Sequence, residues 1–140
     1  MKTRVMLVRE GRSGLKVEVS NPAMAFLFLK PKASRLDREH FWRVDLDARN
    51  HIISYEVVSI GTLTASLVHP REVFVGALLN KAAAVIIAHN HPSGEITPSP
   101  EDKETTRRLV KAGELLGVPV VDHLIVGAGR YFSFKEGGLM

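Results

Sequence analysis

The chain has 140 residues, 45% of them apolar and 24% charged, so it reads as one soluble globular domain able to bury roughly two thirds of its unfolded surface. It contains no cysteine, which excludes disulfides, thiolate metal sites and cysteine nucleophiles and fits a reducing cytosol. The net charge of +4 is a modest excess, so nucleic-acid contact is expected to be weak and non-specific.

The apolar run Val5–Val8 is closed by Arg9 and Glu10, too short for a signal peptide. The richest apolar stretch, Ala23–Leu29, is too short to cross a bilayer. A cytoplasmic protein without a membrane segment is expected. Arg4–Val8 and Lys16–Val19 are strand candidates joined by a turn at Gly11 and Gly14. Asn21-Pro22 starts a short helix expected to stop near Leu29, ahead of Pro31.

Phe41–Asp47 reads as a strand with Trp42, Val44 and Leu46 on one face. His51–Ile60 reads as its hairpin partner across the turn Asp47-Ala48-Arg49-Asn50. Pro70 opens a helix to about Asn80, with Val73, Phe74, Ala77 and Leu78 expected inward. Ala84–Ala88 is a short buried strand that runs into His89. Asn90–Pro98 is rich in turn residues. Ser99-Pro100 then begins the longest helix, with Leu109, Val110, Gly113 and Leu116 as its inner stripe and Gly117 as its C-terminal cap. Val120–Val126 is a last buried strand, and Gly127-Ala128-Gly129 turns into an edge strand, Arg130–Phe134. Strands and helices alternate through the middle, so the fold class is α/β, a mixed sheet packed by helices in one domain.

The chemistry concentrates in His89-Asn90-His91-Pro92, Ser99 and Asp102. Residues two apart on a strand face the same side, so His89 and His91 can aim two imidazoles at one point. They stand at the end of a buried strand, where sites in α/β sheets collect. Asp102 sits in the first turn of the following helix, which holds its carboxylate rigidly. Two histidines and one carboxylate make a recognised catalytic zinc set that leaves a fourth position for water. Each residue also has a plain structural role. Histidines often sit as polar residues at strand ends, Ser99 is a good helix cap, and Asp102 suits the positive end of a helix dipole. The joint spacing favours the metal. His69 and His123 read as capping or core residues, and Lys103, Arg107 and Lys111 as a solvated helix face.

The pattern H-x-H-P, with Ser eight and Asp eleven residues after the second His, resembles the JAMM motif of MPN/JAB-domain metalloproteases. The surrounding Val58–Leu63, His69–Val73, His89–Gly94, Asp122-His123 and Gly129-Arg130-Tyr131 look like the JAB domain of the bacterial RadC family. The resemblance implies a JAB/MPN-type domain with layering like that of the cytidine deaminases, residues 35–140 forming the metal-binding core and 1–34 a strand and helix segment of the same domain. It implies one Zn2+ per chain on His89, His91 and Asp102, Glu39 as general base, Ser99 steadying an oxyanion, and a peptide or protein substrate. Taken without the resemblance, Glu39 reads as a solvated charge at a strand start; Glu95 is the alternative base. JAMM proteases usually carry Ser or Thr between the histidines; Asn90 here is shared with RadC-like chains. Long RadC-like proteins also carry an N-terminal helix-hairpin-helix region, for which this chain offers no room. A DNA-repair accessory and a catalytically silent scaffold stand as the rival readings. A zinc deaminase needs Cys ligands, and the chain has none.

Overall fold

The hairpin at residues 40–60 organises the sheet. β2 (His40–Leu46) and β3 (Ile52–Ile60) pair antiparallel. The Asp47 carboxylate accepts the amides of Arg49 (2.8 Å) and His51 (2.9 Å), and Asn50 takes the left-handed φ of 64° that asparagine tolerates. The structure, a computed structural model, describes residues 6–7, 17–64 and 67–140. Within these residues a six-stranded mixed sheet runs in the order β1-β3-β2-β4-β5-β6, with β1 (Met6–Leu7), β4 (Ala84–Asn90), β5 (Val120–Val126) and β6 (Tyr131–Ser133).

β4 is the pivot. It pairs antiparallel with β2, Phe41 opposite His89, and parallel with β5, His89 opposite Ile125. The parallel pair requires a crossover, and α3 (Pro100–Leu116) supplies it. Every residue of β4 is buried, as expected of a strand covered on both faces. Helix α1 (Pro22–Ala33) covers one face, where Phe26 and Leu29 meet Trp42, Val44, Ile86 and Leu124. Helix α2 (Pro70–Leu79) and α3 cover the other, where Phe74, Ala77 and Leu109 meet Phe41, Val85 and Ile87. The α/β architecture read from the sequence is the one observed.

Several boundaries differ from expectation. Only Met6 and Leu7 of the first strand, and none of the Gly11/Gly14 turn, lie within the described residues. Of the Lys16–Val19 strand, Lys16 lies outside them. Residues 17–19 form a single bridge, Glu18 with His51, because they meet β3 only at the hairpin tip while β1 occupies its edge at Ser54 and Tyr55. Helix α1 does not stop at Leu29. It runs through Pro31 to Ala33, because proline near the end of a helix forfeits one hydrogen bond and the burial of Ala33 favours the extra turn. The Ser34 amide and hydroxyl both donate to the Lys30 carbonyl there. Leu78 and Leu116, expected inward, are exposed at 48% and 46%. Gly76 takes the inward place on α2, since Arg43 comes up beneath it and an added Cβ would lie 2.6 Å from the guanidinium.

That arginine anchors the α2 face. Arg43 is fully buried. It donates from Nε to Asp45 (2.6 Å) and from one terminal nitrogen to Glu56 (2.7 Å) and to the Val73 carbonyl (2.8 Å). Asp45 also accepts from Ser54 and from Asn80 at the end of α2. The network ties β2, β3 and α2 together, with both carboxylates in contact with the one guanidinium. Arg43→Met should therefore strand the Asp45 carboxylate and cost about 3–5 kcal/mol of unfolding free energy, read by denaturant titration. A loss below about 1 kcal/mol would show that the network contributes little.

Candidate metal centre

β4 delivers His89 and Asn90 to opposite faces of the sheet at its C-terminal end. His89 falls on the α3 face and is almost fully buried. His91 follows just beyond the strand, held by its amide to the Val126 carbonyl (2.9 Å). The loop 92–98 then folds back, and the His91 Nδ1–H donates to the Glu95 carbonyl at 2.8 Å. Gly127 lets that loop lie close: an added Cβ would sit 2.5 Å from the Gly94 carbonyl oxygen.

Ser99 and Asp102 fix the carboxylate. The Ser99 hydroxyl accepts the Asp102 amide (3.0 Å), and Asp102 Oδ2 accepts the Ser99 amide (2.9 Å). This reciprocal capping box satisfies two free amides of α3 and leaves the carboxylate pointing at the histidines. The structural and the chemical roles of Ser99 and Asp102 coexist in one arrangement.

The three side chains converge. His89 Nε2 lies 3.0 Å from His91 Nε2 and 3.2 Å from Asp102 Oδ1, and His91 Nε2 lies 3.2 Å from Asp102 Oδ2. With Nδ1–H spent on Glu95, a neutral His91 offers a lone pair at Nε2. Electron-rich atoms this close in a buried place repel one another unless a cation or a proton lies between them. The separations approach the roughly 3.3 Å edge of a tetrahedron with bonds of about 2.0 Å. The cluster therefore fits a metal ion, and it is the set of His, Asp and Glu side chains within the described residues that could hold one.

The electrostatics agree. The hydrogen bond to Asp102 raises the His91 pKa above its ordinary value against the opposing effect of burial, with smaller help from the Glu95 carbonyl and the Glu39 charge. Burial pushes Asp102 up, but its close contacts with His89 and His91 outweigh it and hold the carboxyl well below the usual range.

Glu39 arrives at the start of β2, the strand beside β4. Its carboxylate accepts the Leu63 amide at 3.2 Å, and its carbonyl accepts the Gly61 amide at 2.7 Å. It lines a cavity of about 550 Å³ together with His91, Ser99 and Asp102. Glu95 does not line that cavity; its side chain is exposed and only its backbone serves the site. A second cavity, of about 370 Å³, lies across His91, Pro92 and Ser93 and carries Lys30 and Arg35. Lys103, Arg107 and Lys111 are exposed on α3, with Arg107 paired to Glu104. His69 caps α2, accepting the Arg71 amide at 3.3 Å.

Sequence reasoning named two residues without finding their tasks. Asn90 is a clamp: its Oδ1 accepts the His40 amide (2.6 Å) and its Nδ2 donates to the Arg38 carbonyl (3.0 Å). It grips the chain on both sides of Glu39, which a Ser or Thr hydroxyl is too short to do. Its place between two histidines was the available signal. His123 belongs to the core, as expected, yet its Nε2 lies 2.8 Å from His89 Nδ1. Burial, then the neighbouring His89, hold its pKa well below the ordinary value, so it stays neutral. Its position beside Asp122 inside a mostly apolar strand was the available hint.

Comparison with known proteins agrees with this geometry. The family described as RadC-like JAB domain matches residues 19–139. A UPF0758 protein of Symbiobacterium thermophilum is 56% identical over 125 residues, 89% of this chain and 53% of its own length. One from Rubrobacter xylanophilus is 50% identical over 122 residues, 87% and 53% of the two chains. One from Caldanaerobacter subterraneus is 47% identical over 135 residues, 96% and 57% of the two chains. The chain thus spans about half the length of the curated relatives it matches. No helix among the described residues is long and apolar enough to cross a membrane.

Two outcomes follow from the geometry. Asn90→Ser should leave the amide of His40 or the carbonyl of Arg38 unsatisfied and cost about 1–3 kcal/mol, with faster hydrogen exchange at the His40 amide. Unchanged exchange would mean the clamp does not hold. The second outcome concerns pH. The raised His91 pKa stabilises the metal-free fold fully below the ordinary histidine value, and that contribution is lost as pH rises through the raised value. The depressed Asp102 pKa contributes above the ordinary carboxylate value and is lost on acidification. A metal replaces the proton, so the rise in Tm on adding zinc chloride should grow from about pH 6 to about pH 8. A shift independent of pH would mean that zinc binds elsewhere.

Proposed function

Because the chain belongs to the RadC-like JAB domain family, we propose that it is a zinc-dependent hydrolase of peptide or isopeptide bonds. His89, His91 and Asp102 hold one zinc ion per chain. The observation that carries this reading is the convergence of their ligand atoms beside a cavity that also contains Glu39 and Ser99. Bound there, zinc supplies a Lewis acid and acidifies a water to a pKa of about 7.

The protein's own groups then have separate tasks. Glu39, tethered through one oxygen to the Leu63 amide, takes the proton of the attacking water with the other and returns it to the leaving amine as the C–N bond breaks. The Ser99 hydroxyl accepts the Asp102 amide, so its own hydrogen remains available to donate to the oxyanion that develops on the scissile carbonyl. The two cavities on either side of His91, Pro92 and Ser93 suit an extended chain, acidic groups lining one side and Lys30 and Arg35 the other. Nucleic-acid contact in this reading is weak and non-specific and rests on exposed lysines and arginines.

The test uses zinc-loaded protein and a library of fluorogenic peptide and isopeptide amides. Glu39→Gln keeps shape and polarity but cannot take the proton. It should leave fold and zinc content unchanged and lower turnover by about 10²- to 10⁴-fold. Glu95→Gln should remain active. Ser99→Ala should also slow turnover, while losing about 1 kcal/mol of helix capping, so its stability is measured beside its rate. A fully active Glu39→Gln with an inactive Glu95→Gln would reassign the base. Activity unchanged in both would overturn the water-activation mechanism, and a zinc-loaded wild type that cleaves nothing favours the scaffold.

A further inference from the structure

We propose that His123 and Thr106 are positioning residues that fix the tautomer of His89 through a one-way hydrogen-bond relay starting at the backbone carbonyl of Asp102. The inference rests on the metal-centre reading above, and it assigns a task to two buried residues which that reading leaves unused. His123 is 0% exposed and Thr106 2% exposed, so solvent cannot supply their hydrogen bonds.

Each link has only one direction. Thr106 Oγ1 lies 2.7 Å from the Asp102 carbonyl oxygen. Two oxygens at that distance need a hydrogen between them, and a carbonyl has none to give, so the Thr106 hydroxyl donates. That hydroxyl has spent its only hydrogen, yet it lies 2.5 Å from His123 Nδ1. The hydrogen there must come from the imidazole, so His123 is protonated at Nδ1. A second proton on Nε2 would bury a cation that no carboxylate pairs with among the described residues, so His123 Nε2 carries a lone pair. It lies 2.8 Å from His89 Nδ1, and that contact needs a hydrogen from His89. His89 is therefore protonated at Nδ1 and presents its Nε2 lone pair to His91 and Asp102.

The aromatic packing holds the rings at the angles the relay needs. His123 stacks on Phe134 with centroids 4.6 Å apart and 7° between planes, and His89 stacks on Phe41 at 6.3 Å and 16°. The loop is closed: Asp102 offers its carboxylate to the metal position and its carbonyl to the residue that sets the opposite ligand. Metal-bound histidines commonly depend on such a partner at the other ring nitrogen. Here the partner is itself a histidine, whose direction is set by a threonine one helical turn beyond Asp102.

Thr106→Val is nearly isosteric and keeps the helix, but it removes the group that accepts from His123. His123 is then free to move its hydrogen to Nε2, His89 must become the acceptor there, and its own hydrogen would point into the metal position. Two measurements decide. Long-range 1H–15N spectra of the histidine rings should show His123 in the Nδ1–H form in wild type, with or without zinc. Competition against a chromophoric chelator should show zinc affinity falling by about 10- to 100-fold in Thr106→Val, while Thr106→Ser, which keeps the hydroxyl, stays near wild type. His123 found as the Nε2–H tautomer would overturn the relay, as would equal zinc affinity in wild type and Thr106→Val. A wild type that binds no zinc overturns the metal reading instead, and the tautomer seen in the metal-free spectra still decides the direction of the relay.

Discussion

The pairing of β2 with β4 is the constraint on which the site depends. His40 and Asn90 are 50 positions apart in the chain, and only the antiparallel register that sets Phe41 opposite His89 brings Glu39 to the histidines. Side chains alternate along a strand, so a slip of one residue would turn His89 toward α1 and separate it from Asp102. Asn90 secures the same register from the other face. Its amide bonds both neighbours of Glu39, so one side chain locks the strand pairing and the base candidate together.

The face of the sheet covered by α2 and α3 handles buried polarity in two ways. On the α2 side, Arg43 brings its own positive charge to Asp45 and Glu56. The cluster is complete, and its effect is mechanical. At the end of β4 the cluster is incomplete. Two imidazole nitrogens and a carboxylate face one another, and no lysine or arginine among the described residues is paired with them. Burial makes such a gap costly, and the Ser99–Asp102 capping box keeps the carboxylate from turning away. A site that holds two imidazole nitrogens and a carboxylate within 3.0–3.2 Å of one another is preorganised for a metal, and the rigidity comes from ordinary helix capping and strand geometry.

Preorganisation extends one layer outward. Glu95 acts through its carbonyl on His91, and His123 through its ring on His89. The loop 92–98 thereby holds His91 in place rather than lying as a free surface loop, and the close approach of Gly94 to Gly127 keeps it there. Both histidines have their outward nitrogens occupied, and their inward nitrogens are the ones that could hold a metal ion.

Much of this was legible in the chain itself. The spacing of His89, His91, Ser99 and Asp102 is local, and a strand end followed by a capped helix brings such residues together by short-range geometry alone. Hydrophobic periodicity likewise marked the hairpin, α2, β4, α3 and β5, because alternation and the helical repeat are properties of neighbours. Its errors fell where a distant contact overrode the local pattern: Leu78 gave way to Gly76 above Arg43, and α1 continued past Pro31 to bury Ala33. What only the tertiary structure decided was every pairing across long separations: Glu39 in the cavity rather than Glu95, Asn90 against residues 38 and 40, and His123 between His89 and Thr106. These contacts depend on strand order and register, which arise from packing the whole sheet between its helices, and no local stretch of sequence carries that information.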